Sequence, residues 1–114
     1  MSNCSTIIEI DGNEIMDMDG FHSTFARKFG FPEFYGRNMD AWIDCMTSLD
    51  APEDGLSGVH VEEGSVLTLQ ILNYKGLKEE AREVCDGLIE CSAFVNWRRI
   101  EQGRAPVLAL SFYD

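Results

Sequence analysis

The sequence predicts an α/β fold: a three-stranded parallel sheet with flanking helices, in the order β-α-α-β-α-α-β. Three observations lead there. Short β-branched or apolar runs at residues 6–10, 65–72 and 107–112 are strand candidates. Between them, apolar residues recur at three- and four-residue spacing, as on helices with one buried face. Each interval is also long enough for the helical crossover that parallel neighbours need.

Taken in order, residues 6–10 read Thr-Ile-Ile-Glu-Ile, and Asp11-Gly12-Asn13 ends the run with turn chemistry. Asp17 or Asp19 then caps a helix on which Phe21, Phe25 and Phe29 fall at i, i+4 and i+8. His22 lies beside that stripe and reads as a surface or partly packed histidine rather than a ligand. Gly30-Phe31-Pro32 stops the helix, because proline disfavours helical geometry in the residue before it. After the aromatic segment Pro32-Glu33-Phe34-Tyr35-Gly36, Asn38 is a good N-cap for a second helix reaching about Leu49.

Residues 50–65 mix Pro, Gly and acids and read as a long surface connection with a solvated His60. Residues 65–72 are nearly continuously apolar, which predicts burial on both faces, as in a parallel sheet. Leu77, Ala81, Val84 and Leu88 mark a third helix over residues 77–90, with Gly87 weakening its last turn. Ser92 is expected to cap a separate fourth helix carrying Phe94, Trp97 and Ile100, with Gly103 as its stop. Pro106 ends any helical option, and residues 107–112 close the sheet.

The 114 residues read as one domain, residues 1–114, large enough to bury roughly two-thirds of its extended surface without staples. Twenty acids against nine Lys and Arg give a net charge of −11. That excludes a nucleic-acid-binding role, since phosphate contact needs a basic surface, and it favours basic partners. No apolar run approaches the ~20 residues of a membrane span. Residues 1–5 carry no basic region ahead of an apolar stretch, so no export signal is expected and the chain is assigned to the cytoplasm. Cys4, Cys45, Cys85 and Cys91 are 41, 40 and 6 residues apart, with only His22 and His60 to complete a zinc site. Free thiols, no metal and no cofactor are the expectation.

The second helix has two faces. Met39, Trp42, Ile43 and Met46 occupy one arc, while Asp40, Asp44 and Thr47 line another roughly 120° away. Residues 33–54 hold six acids (Glu33, Asp40, Asp44, Asp50, Glu53 and Asp54) against one base, Arg37. Phe34 and Tyr35 flank them. Such a surface suits docking into a basic groove; a plain solvated helix face is the alternative. An enzyme is disfavoured and no catalytic residue is expected. The chain has no Gly-rich phosphate loop, no G-x-S-x-G elbow and no H-E-x-x-H. Two carboxylates on one exposed helical face do not flank a substrate, and Cys45, between the two arcs, reads as a packed thiol.

Pro32-Glu33-Phe34-Tyr35-Gly36, Asn38-Met39-Asp40-Ala41 and Asp44-Cys45-Met46-Thr47 together resemble the barstar family, intracellular inhibitors of barnase-type ribonucleases. Residues 7–13 and Gly20-Phe21-His22 look similar as well, so the specific match covers about residues 6–49. The resemblance implies the three-stranded barstar-like fold and a monomer that binds its target one-to-one. The target would be a protein with a basic active site, a barnase-type ribonuclease or related toxin, plugged by the acidic helix and the loop before it. Asp44 would be the central phosphate mimic and Asp40 its charged neighbour. Phe34 would stack on the target, and Tyr35, Gly36, Asn38, Ile43, Thr47 and Ser48 complete the expected contact set.

The chain departs from the family pattern in places. Ile43 stands where a tryptophan is common, and Ser48 and Leu49 replace a small residue and an aromatic. Arg98 falls where an acidic contact residue occurs, so Arg98, Arg99 and Arg104 are expected to form a basic edge that is either solvated or faces the target. The connection over residues 50–64 is longer than expected and offers further contacts. A second reading keeps the fold as an interaction module for a partner that is not a ribonuclease.

Overall fold

The computed structural model describes residues 6–114; Met1 to Ser5, and with them Cys4, lie outside the described residues. Strands β1 (Thr6–Asp11), β2 (Leu67–Leu72) and β3 (Leu108–Tyr113) form a parallel sheet in the order β1-β2-β3. Helices α1 (Met18–Phe29) and α2 (Met39–Thr47) make the first crossover, and α3 (Tyr74–Glu80) and α4 (Arg82–Glu101) the second. This is the predicted β-α-α-β-α-α-β order. The register sets Ile10 beside Ile71 and Leu69 beside Leu110.

Central β2 buries Leu67, Leu69 and Ile71 completely but leaves Thr68, Gln70 and Leu72 half-buried. The expectation of burial on both faces is therefore met on one. The alternate face carries two polar side chains, which full enclosure would leave wanting partners.

The aromatic stripe of α1 forms the heart of the core. Asp17 caps the helix by accepting the Gly20 N–H at 2.7 Å, and Phe21, Phe25 and Phe29 are fully buried. Phe21 and Phe25 meet Trp42 of α2 with ring centroids 5.8 and 5.6 Å apart. Gly30, left-handed at φ +64, ends α1, a geometry glycine adopts at least cost. The freed carbonyl of Phe29 accepts the Gly58 N–H at 2.7 Å and the Ser57 hydroxyl at 3.0 Å. These bonds, with the Val61 N–H on the Leu49 carbonyl and a buried Val61, pin the long connection to the body. It contains a single 3-10 turn, Pro52–Asp54, and His60 is exposed as expected.

The second crossover corrects the reading of the sequence. The break between helices falls at Ala81 (φ −142, ψ 55), and α4 runs unbroken for 20 residues through Gly87 and Ser92. Ser92 is buried in mid-helix and caps nothing. Val84, Cys85, Leu88, Ser92, Val95 and Arg99 form one continuous buried stripe, and its burial outweighs the ~1 kcal/mol that Gly87 costs. Phe94, Trp97 and Ile100 lie off that stripe and are exposed, Trp97 by 57%.

Arg99 is a further correction. It is neither solvated nor part of a basic edge but 2% exposed. Its guanidinium donates to both carboxylate oxygens of Asp50 (2.9 and 2.8 Å), to the Thr47 carbonyl (2.7 Å) and to the Ala105 carbonyl (2.7 Å). Arg104 adds a third hydrogen bond to Asp50 at 2.6 Å. Nearby, the Asn96 side chain accepts the N–H groups of Val107 and Leu108 and donates to the Leu108 carbonyl, tying α4 to the start of β3.

Removing one partner of a buried pair strands the other charge. Arg99→Ala is accordingly expected to lower stability by about 3–5 kcal/mol in urea unfolding. The hydrogen bonds from Arg99, helped by the Arg99 and Arg104 charges and opposed by burial, hold the Asp50 carboxyl below its ordinary value of 3.8. The stability it confers is therefore full above about pH 4 and is lost as pH falls through the depressed value. Unfolding profiles below pH 4 should be flatter for Asp50→Asn than for the wild type.

Candidate partner-binding site

The loop between α1 and α2 is built on aromatic contacts. Phe31 packs on Phe29 (5.8 Å) and on Tyr35 (4.7 Å), and the Tyr35 hydroxyl meets Nδ1 of His22 at 2.5 Å. His22 is buried, not a surface histidine, because this loop folds over it. With Tyr35 turned inward, its neighbour Phe34 is left 76% exposed. Arg37 adopts a left-handed φ of +52, rare for a residue with a side chain. Its guanidinium offsets that strain by bonding α1 at the Asp19 carboxylate (2.6 Å), the Asp19 carbonyl and the Ser23 hydroxyl.

Asn38 then starts α2, its Oδ1 accepting the Ala41 N–H at 2.8 Å. A Cβ on Gly36 would come within 3.3 Å of the Asn38 side-chain nitrogen, so a larger residue there would press on the cap. The two arcs of α2 fall largely as the sequence predicts. Trp42, Ile43 and Met46 are buried, Met39 is half-buried, and Asp40 and Asp44 are exposed.

Thr47 is the exception. It was expected beside the aspartates, yet Arg99 lies against its carbonyl and its hydroxyl donates back to the Ile43 carbonyl at 2.6 Å. Ile43 and Thr47 present only 5% and 6% of their surfaces. Ser48 is half-buried at the helix end. Burial, with a smaller push from Asp44, raises the Cys45 thiol to about 11. It stays protonated at neutral pH and is no nucleophile.

The acidic surface is smaller than the six-residue count implies. Asp50 is buried on Arg99 and Arg104, and Oδ1 of Asp44 accepts the Arg98 guanidinium at 2.9 Å. Arg98 also lies over the Phe94 ring, 5.4 Å from its centre. Glu33, Asp40, Glu53 and Asp54 are exposed, and none of them forms an ion pair among the described residues. The pairing of Asp44 with Arg98 is the feature sequence reasoning missed. The two stand 54 positions apart, and only the unbroken course of α4 beside α2 brings them together.

Phe34, Gly36, Asn38, Asp40 and Asp44 are thus all exposed, a set of acceptors and one bare aromatic ring carried on α2 and the braced loop before it. This set can bind cations and stack, and holds no activated nucleophile. Among the described residues there is no cluster of three or more His, Cys, Asp or Glu that could hold a metal. Cys45, Cys85 and Cys91 are free thiols, and no described helix is long and apolar enough to cross a membrane.

A family model described as "Barstar (barnase inhibitor)" matches residues 5–109. The curated protein "Putative ribonuclease inhibitor YrdF" of Bacillus subtilis (strain 168) is 41% identical over 46 residues, which cover 40% of this chain and 50% of that protein. The matched part spans about half the length of that relative.

Burial, then the Arg37 charge, lowers the pKa of His22 below its ordinary 6.5, against a smaller opposing effect of Asp19. Neutral His22 shares a hydrogen bond with the Tyr35 hydroxyl. The stability it confers is full above about pH 6.5 and declines as pH falls from there to the depressed value. Tyr35→Phe leaves buried Nδ1 without its partner and should cost about 1–3 kcal/mol, with faster amide exchange over residues 32–38. Urea unfolding and hydrogen exchange read both.

Proposed function

The chain belongs to the barstar family, and from that premise we propose that it inhibits a ribonuclease by occlusion, presenting the outer face of α2 and the loop ahead of it to the enzyme's active site. The observation that carries the proposal is the exposed pair Asp40 and Asp44, one helical turn apart on α2, with the exposed ring of Phe34 on the loop that leads into that helix. A site that cleaves RNA must hold cations for the phosphate, and a carboxylate placed among them replaces phosphate oxygens with charge-assisted hydrogen bonds.

Asp44 serves as the phosphate mimic and Asp40 supports it. Phe34 stacks on the enzyme's side chains, with Gly36, Asn38 and Ser48 at the rim. Ile43, Tyr35 and Thr47 act mostly from behind: Ile43 and Thr47 through packing, Tyr35 by holding the loop on His22. The partner is a protein with a basic active site, bound one-to-one by a single folded unit. The inhibitor contributes no bond-making step, consistent with the high thiol pKa of Cys45.

Inhibition of a barnase-type ribonuclease, titrated with wild type and Asp44→Ala, tests the proposal. Losing the carboxylate leaves the enzyme's cations unpaired at a desolvated contact, so inhibition should weaken at least about a hundredfold, about 3 kcal/mol. The thermal melt should change little, because Asp44 is exposed. Full inhibition by the folded variant would refute the assigned role.

A further inference from the structure

The carboxylate at the centre of this reading is already half-occupied by the chain itself. Oδ1 of Asp44 holds Arg98 at 2.9 Å, while the Asp44 side chain remains 61% exposed. A partner can therefore reach Asp44, but any cation it brings there comes within a few ångströms of the Arg98 guanidinium. Surface ion pairs are weak, so the pair alone would not hold Arg98 in place. Two other contacts do. Its guanidinium lies over Phe94 and its side chain is only 33% exposed. The next residue, Arg99, is locked to Asp50, Thr47 and Ala105, which fixes the rotation of α4 and keeps position 98 turned toward α2.

We propose that Arg98 is a specificity-determining residue: its pairing with Asp44 favours a ribonuclease that carries a carboxylate opposite Arg98 beside the cations that receive Asp44, and weakens binding to one whose active site is rimmed by cations alone. The physical basis is discrimination by repulsion. Like charges forced together at an interface weaken the wrong complex, while the matching carboxylate restores the right one. With one oxygen of Asp44 committed to Arg98, the partner's cations have the second oxygen and Asp40 to bind. This inference rests on the inhibitor reading above.

The test uses a barnase-type ribonuclease with a uniformly basic active-site rim, inhibited by wild type, Arg98→Gln, Arg98→Glu and Asp44→Ala at low and high salt. Circular dichroism melts check that each variant is folded, and Arg98→Gln keeps the length and polarity of the side chain should Arg98→Glu be unstable. Neutralising Arg98 should tighten inhibition by about threefold or more and reversing it by about tenfold or more, with both gains shrinking as salt rises. Inhibition by both Arg98 variants no tighter than by wild type would overturn the inference while Asp44→Ala still reports on the inhibitor reading. A salt-independent gain would overturn it too, since that is a packing effect. If Asp44→Ala inhibits as well as wild type, or no variant inhibits at all, the inhibitor reading fails and the role of Arg98 falls with it.

Discussion

The buried guanidinium of Arg99 joins α2, α4 and the start of β3. A charge taken out of water is costly unless its donors are met. Here they are met by Asp50, the last carbonyl of α2 and the segment leading into β3. One side chain thus fixes where α2 ends, how α4 is rotated and where the third strand begins. The consequences reach the surface. With Arg99 pointing in, Arg98 must point out and across, and it meets Asp44. The electrostatic character of the proposed binding face is in this sense set from the core.

A second constraint acts on the loop ahead of α2. Loops that must order on binding lose affinity to that ordering. Here the loop is braced in advance by the Tyr35–His22 hydrogen bond, the Phe29–Phe31–Tyr35 ring contacts and the grip of Arg37 on α1. The left-handed backbone at Arg37 is the local strain that this bracing holds. What this leaves outside is an exposed Phe34 on an already positioned segment. Asp40 and Asp44 stand on a helix whose opposite side is anchored by Trp42 and Met46.

Local features were legible in the residues, and distant ones were not. The three strands, the Asp17 and Asn38 caps and the division of α2 into an apolar and an acidic arc follow from periodicity and capping within a few residues. The motifs over residues 32–47 also pointed to the family whose model matches residues 5–109. Other features depend on contacts 49 to 54 positions apart: Asp50 drawn inside by Arg99, and Asp44 paired through one oxygen with Arg98. A count of acids in a window treats all six as solvent-facing, and no local pattern says which have an arginine waiting on another helix. The fourth helix misled for a related reason. Ser92 has the chemistry of a cap, but it falls in phase with the stripe of Val84, Leu88 and Val95, and burial of that stripe prevailed. Phe94, Trp97 and Ile100 lie outside for the same reason.

The most direct test is to map the contact surface by titrating a barnase-type ribonuclease into the isotope-labelled protein and following its backbone amide signals. Shifts confined to the loop over residues 33–38, the exposed side of α2 around Asp40 and Asp44, and the neighbouring Phe94–Arg98 turn of α4 would bear out the account. Shifts centred instead on α3 and the β1 edge, with α2 unmoved, would contradict it.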